Sequence, residues 1–252
     1  MRSEHTFSGQ GEEKALTLLQ KRFITSGFEG LNDQEAIKLL LSLVLTPQES
    51  EQLAKKCFEE FGNLREFVAA SPQELQQVGL NLSCIFCIRL LRELPVEVLK
   101  EKILDKPVYG SSQDVFNYLY YSMRDLKREV FKVIYLNNRS QIIDTADLFE
   151  GVADAIAIRP REIIETAIAN TATILLFAHN HPTGDPHPSK SDKQLTRDLV
   201  FVGMILQIKV LDHIIIGENT HFSFADEGLI QKYEDDFLNI KIRHVSEPVL
   251  SY

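Results

Sequence analysis

Three cysteines among 252 residues are too few for a disulfide framework, and they point to a reducing compartment. Long apolar runs are missing too. A stretch such as Ala36–Leu45 has about half the length a membrane span needs, and it carries Lys38. The opening residues, MRSEHTFSGQGEEK, have no apolar core and no cleavage pattern, so no signal peptide is expected. Positive charge is in deficit. Lys and Arg number 27 against 36 Asp and Glu, for a formal net charge of −9. That argues against a broad basic surface for nucleic acid, though not against a local patch. There are no internal repeats and no low-complexity tracts. From these absences a cytoplasmic protein with no membrane partner is expected. What is present is ordinary. Apolar residues make up 44% and charged residues 25%, enough for a real core, and the length suits one or two domains.

The first hundred residues read as all-helical. Residues 1–10 are short, polar and terminal, and are expected to be disordered. Helical periodicity runs from Glu12 to Ile24, from a cap at Asn32 or Asp33 to a stop at Pro47, and from 49 to 61 with Gly62 after it. Short helices follow over 64–70, 71–78 and about 82–93. Pro95, Pro107 and Gly110 then punctuate a charged stretch, 94–112, which is the expected boundary. Domains are accordingly expected over 1–100 and 112–235.

Past a further amphipathic helix, 112–128, the period changes. Val130–Leu136 is β-rich, Asn137-Asn138 signals a turn, and Gln141–Asp144 resumes extended structure, so a hairpin is expected. A helix from Pro160 to about Asn170, a strand over 173–177, a helix over 190–206 and strands over 208–216 and 221–224 follow. Alternating strands and helices predict an α/β domain with a mixed sheet. The tail from Tyr233 is ambiguous, and Lys241-Ile-Arg-His-Val reads as a short strand.

The chemistry concentrates in 174–192. An apolar strand ends at His179-Asn-His181, a Pro- and Gly-rich turn follows, and Ser189 and Asp192 open the next helix. Residues i and i+2 of a strand share a face, so two imidazoles can meet at one point. Asp192 can add a carboxylate. Two imidazole nitrogens and one carboxylate are the ligand set of an open catalytic zinc. Ser189-x-x-Asp192 is also an ordinary capping box, which would fix where Asp192 points. Iron or manganese could occupy the same donors.

The spacing His-x-His, seven residues, Ser, two residues, Asp resembles the JAMM (MPN+) metalloprotease motif. The flanks, His-Asn-His-Pro-Thr-Gly-Asp-Pro and Leu211-Asp212-His213-Ile-Ile-Ile-Gly217, resemble the RadC family of bacterial proteins, strongly over Val130–Leu229. The resemblance implies a helical, helix–hairpin–helix-like N-terminal domain and an α/β JAMM domain of cytidine-deaminase-like fold. It implies zinc on His179, His181 and Asp192, with Ser189 stabilising an oxyanion during hydrolysis of a peptide or isopeptide bond in a protein or peptide substrate. It also places a Glu just before a Leu-Phe-x-Gly segment. Here that segment is Leu148-Phe149-Glu150-Gly151, and the expected position holds Ala146. Asp147, Glu150 and Glu162 are the alternative acids. Asp147 falls on the opposite face of a regular strand, and Glu162 suits a helix's first turn in any case.

Other features have plain readings. Asp212-His213 is either support for the metal or a satisfied core pair. His187 is expected exposed in its turn, and Arg159 and Arg161 as a solvated pair. Cys84-Ile-Phe-Cys87 has helical spacing and no partners for a zinc site. The hairpin at Val78-Gly79-Leu-Asn-Leu82 has neither the second Gly nor the following cation that phosphate binding uses, and reads as structural. Three functions stay open: a zinc hydrolase, a DNA-repair or recombination accessory binding nucleic acid, and a zinc-bearing scaffold without turnover.

Overall fold

The computed structural model describes residues 17–104, 112–151, 158 and 160–246. The side chains of 112, 149–151 and 242–246 are outside this description, as are residues 1–16 and Arg159 altogether. The chain divides into two compact units, Met1–Arg92 and Glu93–Tyr252.

The first unit is helical: α1 (Leu18–Ser26), α2 (Asp33–Leu41), α3 (Pro47–Phe61), α4 (Leu64–Ala69), α5 (Pro72–Gln77) and the start of α6 (Leu82–Ile103). Capping chemistry sets most of the starts. Thr17 with Gln20, Asn32 with Glu35, Thr46 with Glu49 and Ser71 with Glu74 all form reciprocal capping boxes. Pro47 therefore opens α3 rather than closing α2. Ile37, Leu41, Ala54, Cys57, Phe67, Leu75, Cys84 and Ile88 form the core. Cys84 is thus a packing residue, and burial raises the thiols of both Cys57 and Cys84 above their usual pKa. In the hairpin between α5 and α6, Gly79 takes a positive φ of 102°, Leu80 is buried, and Asn81 caps α6 by accepting the Cys84 N–H.

The expected break after Glu93 is not there. Helix α6 continues through Pro95 to Ile103. An interior proline costs about 3 kcal/mol. Covering Ile103 fully and Val96 and Leu99 in part offsets this, at about 1.5–3 kcal/mol for a side chain fully covered.

The second unit holds α7 (Ser112–Met123), β1 (Glu129–Leu136), β2 (Ile142–Gly151), α8 (Pro160–Ala169), β3 (Ile174–Asn180), α9 (Lys190–Leu206), β4 (Lys209–Ile216), β5 (His221–Ser223) and α10 (Leu229–Ser246). The sheet order is β2-β1-β3-β4-β5. Only β3 and β4 run parallel; the other pairs are antiparallel, so the sheet is mixed. In the β1–β2 turn, Asn137 Oδ1 accepts the N–H groups of Arg139 and Gln141 at 2.9 and 3.0 Å.

One sheet face, with Phe131, Val133, Tyr135, Leu175, Phe177 and Ile215, packs under α8, α9 and α10. The other, with Ile134, Leu136, Leu176 and Ile216, packs on α7 and the end of α6. The strand expected at 241–245 is instead the last part of α10. Ile230, Tyr233 and Phe237 recur at helical spacing, and Phe237 meets Phe201 edge-on at 5.4 Å. Among the described residues, no helix is long and apolar enough to cross a membrane.

Candidate metal centre

The site lies at the C-terminal end of β3, on the face that packs under α9. His179 pairs with Phe131 of β1, and its ring points the same way as Phe177. Two residues on, His181 leaves the strand, its N–H donating to the Ile216 carbonyl at 2.9 Å. The two Nε2 atoms are 3.0 Å apart. Asp192 arrives from the first turn of α9. Its Oδ1 is 3.6 Å from His179 Nε2 and its Oδ2 3.5 Å from His181 Nε2.

A fourth residue completes the cluster. Glu129, the first residue of β1, places Oε1 3.9 Å from His179 Nε2. One donor atom each from Glu129, His179, His181 and Asp192 all lie within 4.8 Å of one another, and among the described residues no other group of this kind occurs. The donors fit a metal ion. Bonds of about 2.0–2.1 Å in a tetrahedron set ligand atoms roughly 3.3 Å apart, close to the 3.0–3.6 Å found between the imidazoles and Asp192.

Electrostatics hold His179 and Asp192 in ligating form and set the other two groups apart from them. Burial lowers the pKa of His179 to about 4, so its ring is neutral. Hydrogen bonding to Asp192 raises His181. Burial pushes the Asp192 carboxyl upward, but hydrogen bonds with His181 and Ser189 outweigh it and hold Asp192 below its usual range. Glu129 moves the opposite way. Desolvation raises its pKa, helped by Asp192 and opposed by His181. Two carboxylates in one site are thus driven apart.

Each position has a local cause. Ser189 caps α9, and Asp192 Oδ2 accepts the Ser189 N–H at 2.7 Å and the Ser189 hydroxyl at 2.6 Å. This engages one carboxylate oxygen and turns the other toward His179. Asn180, buried between the two histidines, accepts the Val130 N–H at 2.9 Å and donates to the carbonyls of Leu126 and Arg128 at 3.2 and 3.0 Å. It ties down the backbone on both sides of Glu129. Gly217 closes the turn after β4, where a Cβ would overlap the Gly184 carbonyl and Pro186.

The acids weighed from the sequence lie away from this cluster or outside the described residues, and Glu129 was not among them. Ala146 does face the site side of the sheet, but it pairs with Val133, four residues from Glu129 and about 13 Å deeper along β1. Asp147 faces the other side and pairs with the buried Lys132. The side chain of Glu150 is outside the described residues, and Glu162 is exposed on the first turn of α8. The available signal for Glu129 was its place at the head of a strand beside the His-x-His strand, which becomes readable only once β1 and β3 are known to pair.

The remaining candidates separate cleanly. His187 is exposed and bonded to Asp185 at 2.6 Å, outside the cluster. Arg161 pairs with Glu165 in solvent. Asp212 bonds the His213 and Ala225 N–H groups and the Ser223 hydroxyl at 2.6–2.8 Å, so it serves the backbone. His213 is fully buried and bonds His179 Nδ1 at 2.8 Å.

Fold and site together define an α/β domain carrying a candidate metal centre at a strand's end. The model of the RadC-like JAB domain matches residues 109–229. Similar proteins include UPF0758 proteins of Pasteurella multocida (strain Pm70), 30% identical over 88% of this chain and 100% of the relative, and of Pseudoalteromonas translucida (strain TAC 125), 34% identical over 84% and 95%. That of Nitrosomonas europaea is 33% identical over 84% and 95%. The chain belongs to this RadC-like family.

Proposed function

We propose that the chain is a zinc-dependent hydrolase of peptide or isopeptide bonds. Convergence of His179, His181, Asp192 and a raised-pKa Glu129 supports the reading. His179, His181 and Asp192 hold the ion, and Glu129 is the acid–base. A bound zinc supplies Lewis acidity and lowers the pKa of water to about 7. Glu129 takes the proton from the attacking water and delivers it to the leaving amine; burial tunes it for both directions. Ser189 donates its hydroxyl to the developing oxyanion, turning from Asp192 to do so. One such donor contributes about 3 kcal/mol in the transition state.

Two imidazoles and a carboxylate favour zinc but also accommodate iron or manganese. The substrate is a protein or peptide in the cytoplasm. The nucleic-acid reading draws no support from the α5–α6 hairpin, where Asn81 is occupied in capping and Leu80 in the core. The test is hydrolysis of a peptide library by zinc-loaded protein beside Glu129→Gln. Cleavage by wild type that falls at least 100-fold in the variant supports the proposal. Equal cleavage by both refutes the role of Glu129, and none by wild type favours the scaffold reading.

A further inference from the structure

The two histidines of the centre fix their tautomers in different ways. His181 Nδ1 lies 2.7 Å from the Asp185 carbonyl, which can only accept, so Nδ1 carries a proton and Nε2 is the atom turned to His179, Asp192 and a bound metal. His179 has no such unambiguous partner. Its Nδ1 faces the Nε2 of another imidazole, His213, at 2.8 Å, and either ring could be the donor. If His179 Nδ1 accepts, its neutral ring carries the proton on Nε2 and cannot ligate.

The next link settles the matter. His213 Nδ1 is 2.6 Å from Thr196 Oγ1, and Thr196 Oγ1 is 2.6 Å from the Asp192 carbonyl oxygen. A hydroxyl has one proton, and a carbonyl can only accept. The Thr196 proton therefore goes to Asp192, and Thr196 accepts from His213 Nδ1–H. In a neutral ring this leaves the lone pair of His213 on Nε2, which accepts from His179 Nδ1–H. The lone pair of His179 is then on Nε2, aimed into the cluster. His213 stays neutral among aromatic rings, with Phe224, Phe131 and Phe177 centred 5.1, 5.4 and 6.0 Å away.

The fold makes a special provision for this contact. Leu175 pairs with Val210 but Leu176 pairs with Asp212, so β4 bulges at Leu211. Strict alternation from Val210, which faces α9, would turn residue 213 to the α7 side. The bulge returns it to the site side. The Asp212 carboxylate, bonded to the His213 and Ala225 N–H groups, holds the bulged backbone.

From this geometry we infer that His213 and Thr196 are positioning residues, a proton-ordered relay that fixes the Nε2 lone pair of His179 toward the metal. The relay ends on the backbone of Asp192, so it also locks α9 against β4. The inference deepens the zinc reading and rests on it for its purpose, though not for its hydrogen-bond order.

Two measurements on the full chain test it. Long-range ¹H–¹⁵N correlation of the imidazoles in chelator-treated wild type should show both His179 and His213 protonated on Nδ1; an Nε2–H ring at either position overturns the relay. Zinc affinity, measured by competition with a chromogenic chelator, should fall about 10–100-fold in Thr196→Val and stay within about threefold of wild type in Thr196→Ser. Wild-type affinity in Thr196→Val, or an equal loss in Thr196→Ser, overturns it too. Wild type that binds no zinc brings down the metal reading instead, and the ring spectra still decide the relay.

Discussion

Asn180 Oδ1 accepts the Val130 N–H at 2.9 Å, joining the residue between the two histidines to the residue after Glu129. With its bonds to the Leu126 and Arg128 carbonyls, Asn180 makes the His-x-His segment and the head of β1 a single unit. The two imidazoles and the acid therefore keep their spacing without a metal. Asn180→Ala should cost about 2–4 kcal/mol, since it strands buried backbone groups. Urea unfolding of the metal-free protein measures it, and a change under 1 kcal/mol would show that the segment holds its place by other means.

Glu129→Gln keeps the size of the side chain and removes its proton chemistry. Zinc content should stay near wild type while hydrolysis falls about 100-fold or more. Ala146→Glu should not rescue it. Position 146 is opposite Val133, against the core, and a carboxylate there should destabilise the fold by about 1–3 kcal/mol. Restored hydrolysis in the double variant would return the acid to β2.

Gly217 leaves no room for a methyl group against Gly184 and Pro186. Gly217→Ala should displace the 182–188 turn, destabilise the protein by about 1–3 kcal/mol and weaken metal binding. Thermal unfolding with and without zinc reads both effects. A variant as stable as wild type would mean that the turn yields without cost.

The metal-free protein should lose stability on acidification through His179. Its folded pKa of about 4 lies below the 6.5 of a free histidine, so the unfolded chain binds the proton first. Stability then rises with pH across that window and falls as pH drops. Between pH 7.5 and 5, His179 alone contributes a loss of about 2 kcal/mol. His181, raised by Asp192, works in the opposite sense. The clean measurement is therefore a difference: His179→Asn should lose about 2 kcal/mol less than wild type over this range. Parallel losses in both proteins would contradict the assignment.

Much of this was legible in the sequence. The helix-to-sheet transition, the hairpin at Asn137, the crossover helices and the convergence of His179, His181 and Asp192 follow from local periodicity, turn chemistry and spacing. Besides the last part of α10, three things were not. Pro95 signalled a helix end, but burial beyond it decided otherwise. Glu129 joins the site through the pairing of β1 with β3, which no local pattern encodes. His213 reaches His179 only because of the bulge at Leu211; simple alternation puts it on the other face. Each miss is a case where a non-local contact overrode the local rule.

The most direct test is the metal content of purified protein, by elemental analysis, beside a His179→Ala/His181→Ala double variant. About one zinc per chain in wild type, lost in the variant while the fold is kept, is the predicted result. No bound metal in wild type after reconstitution with zinc, or equal metal in both proteins, would contradict a metal centre at the end of β3.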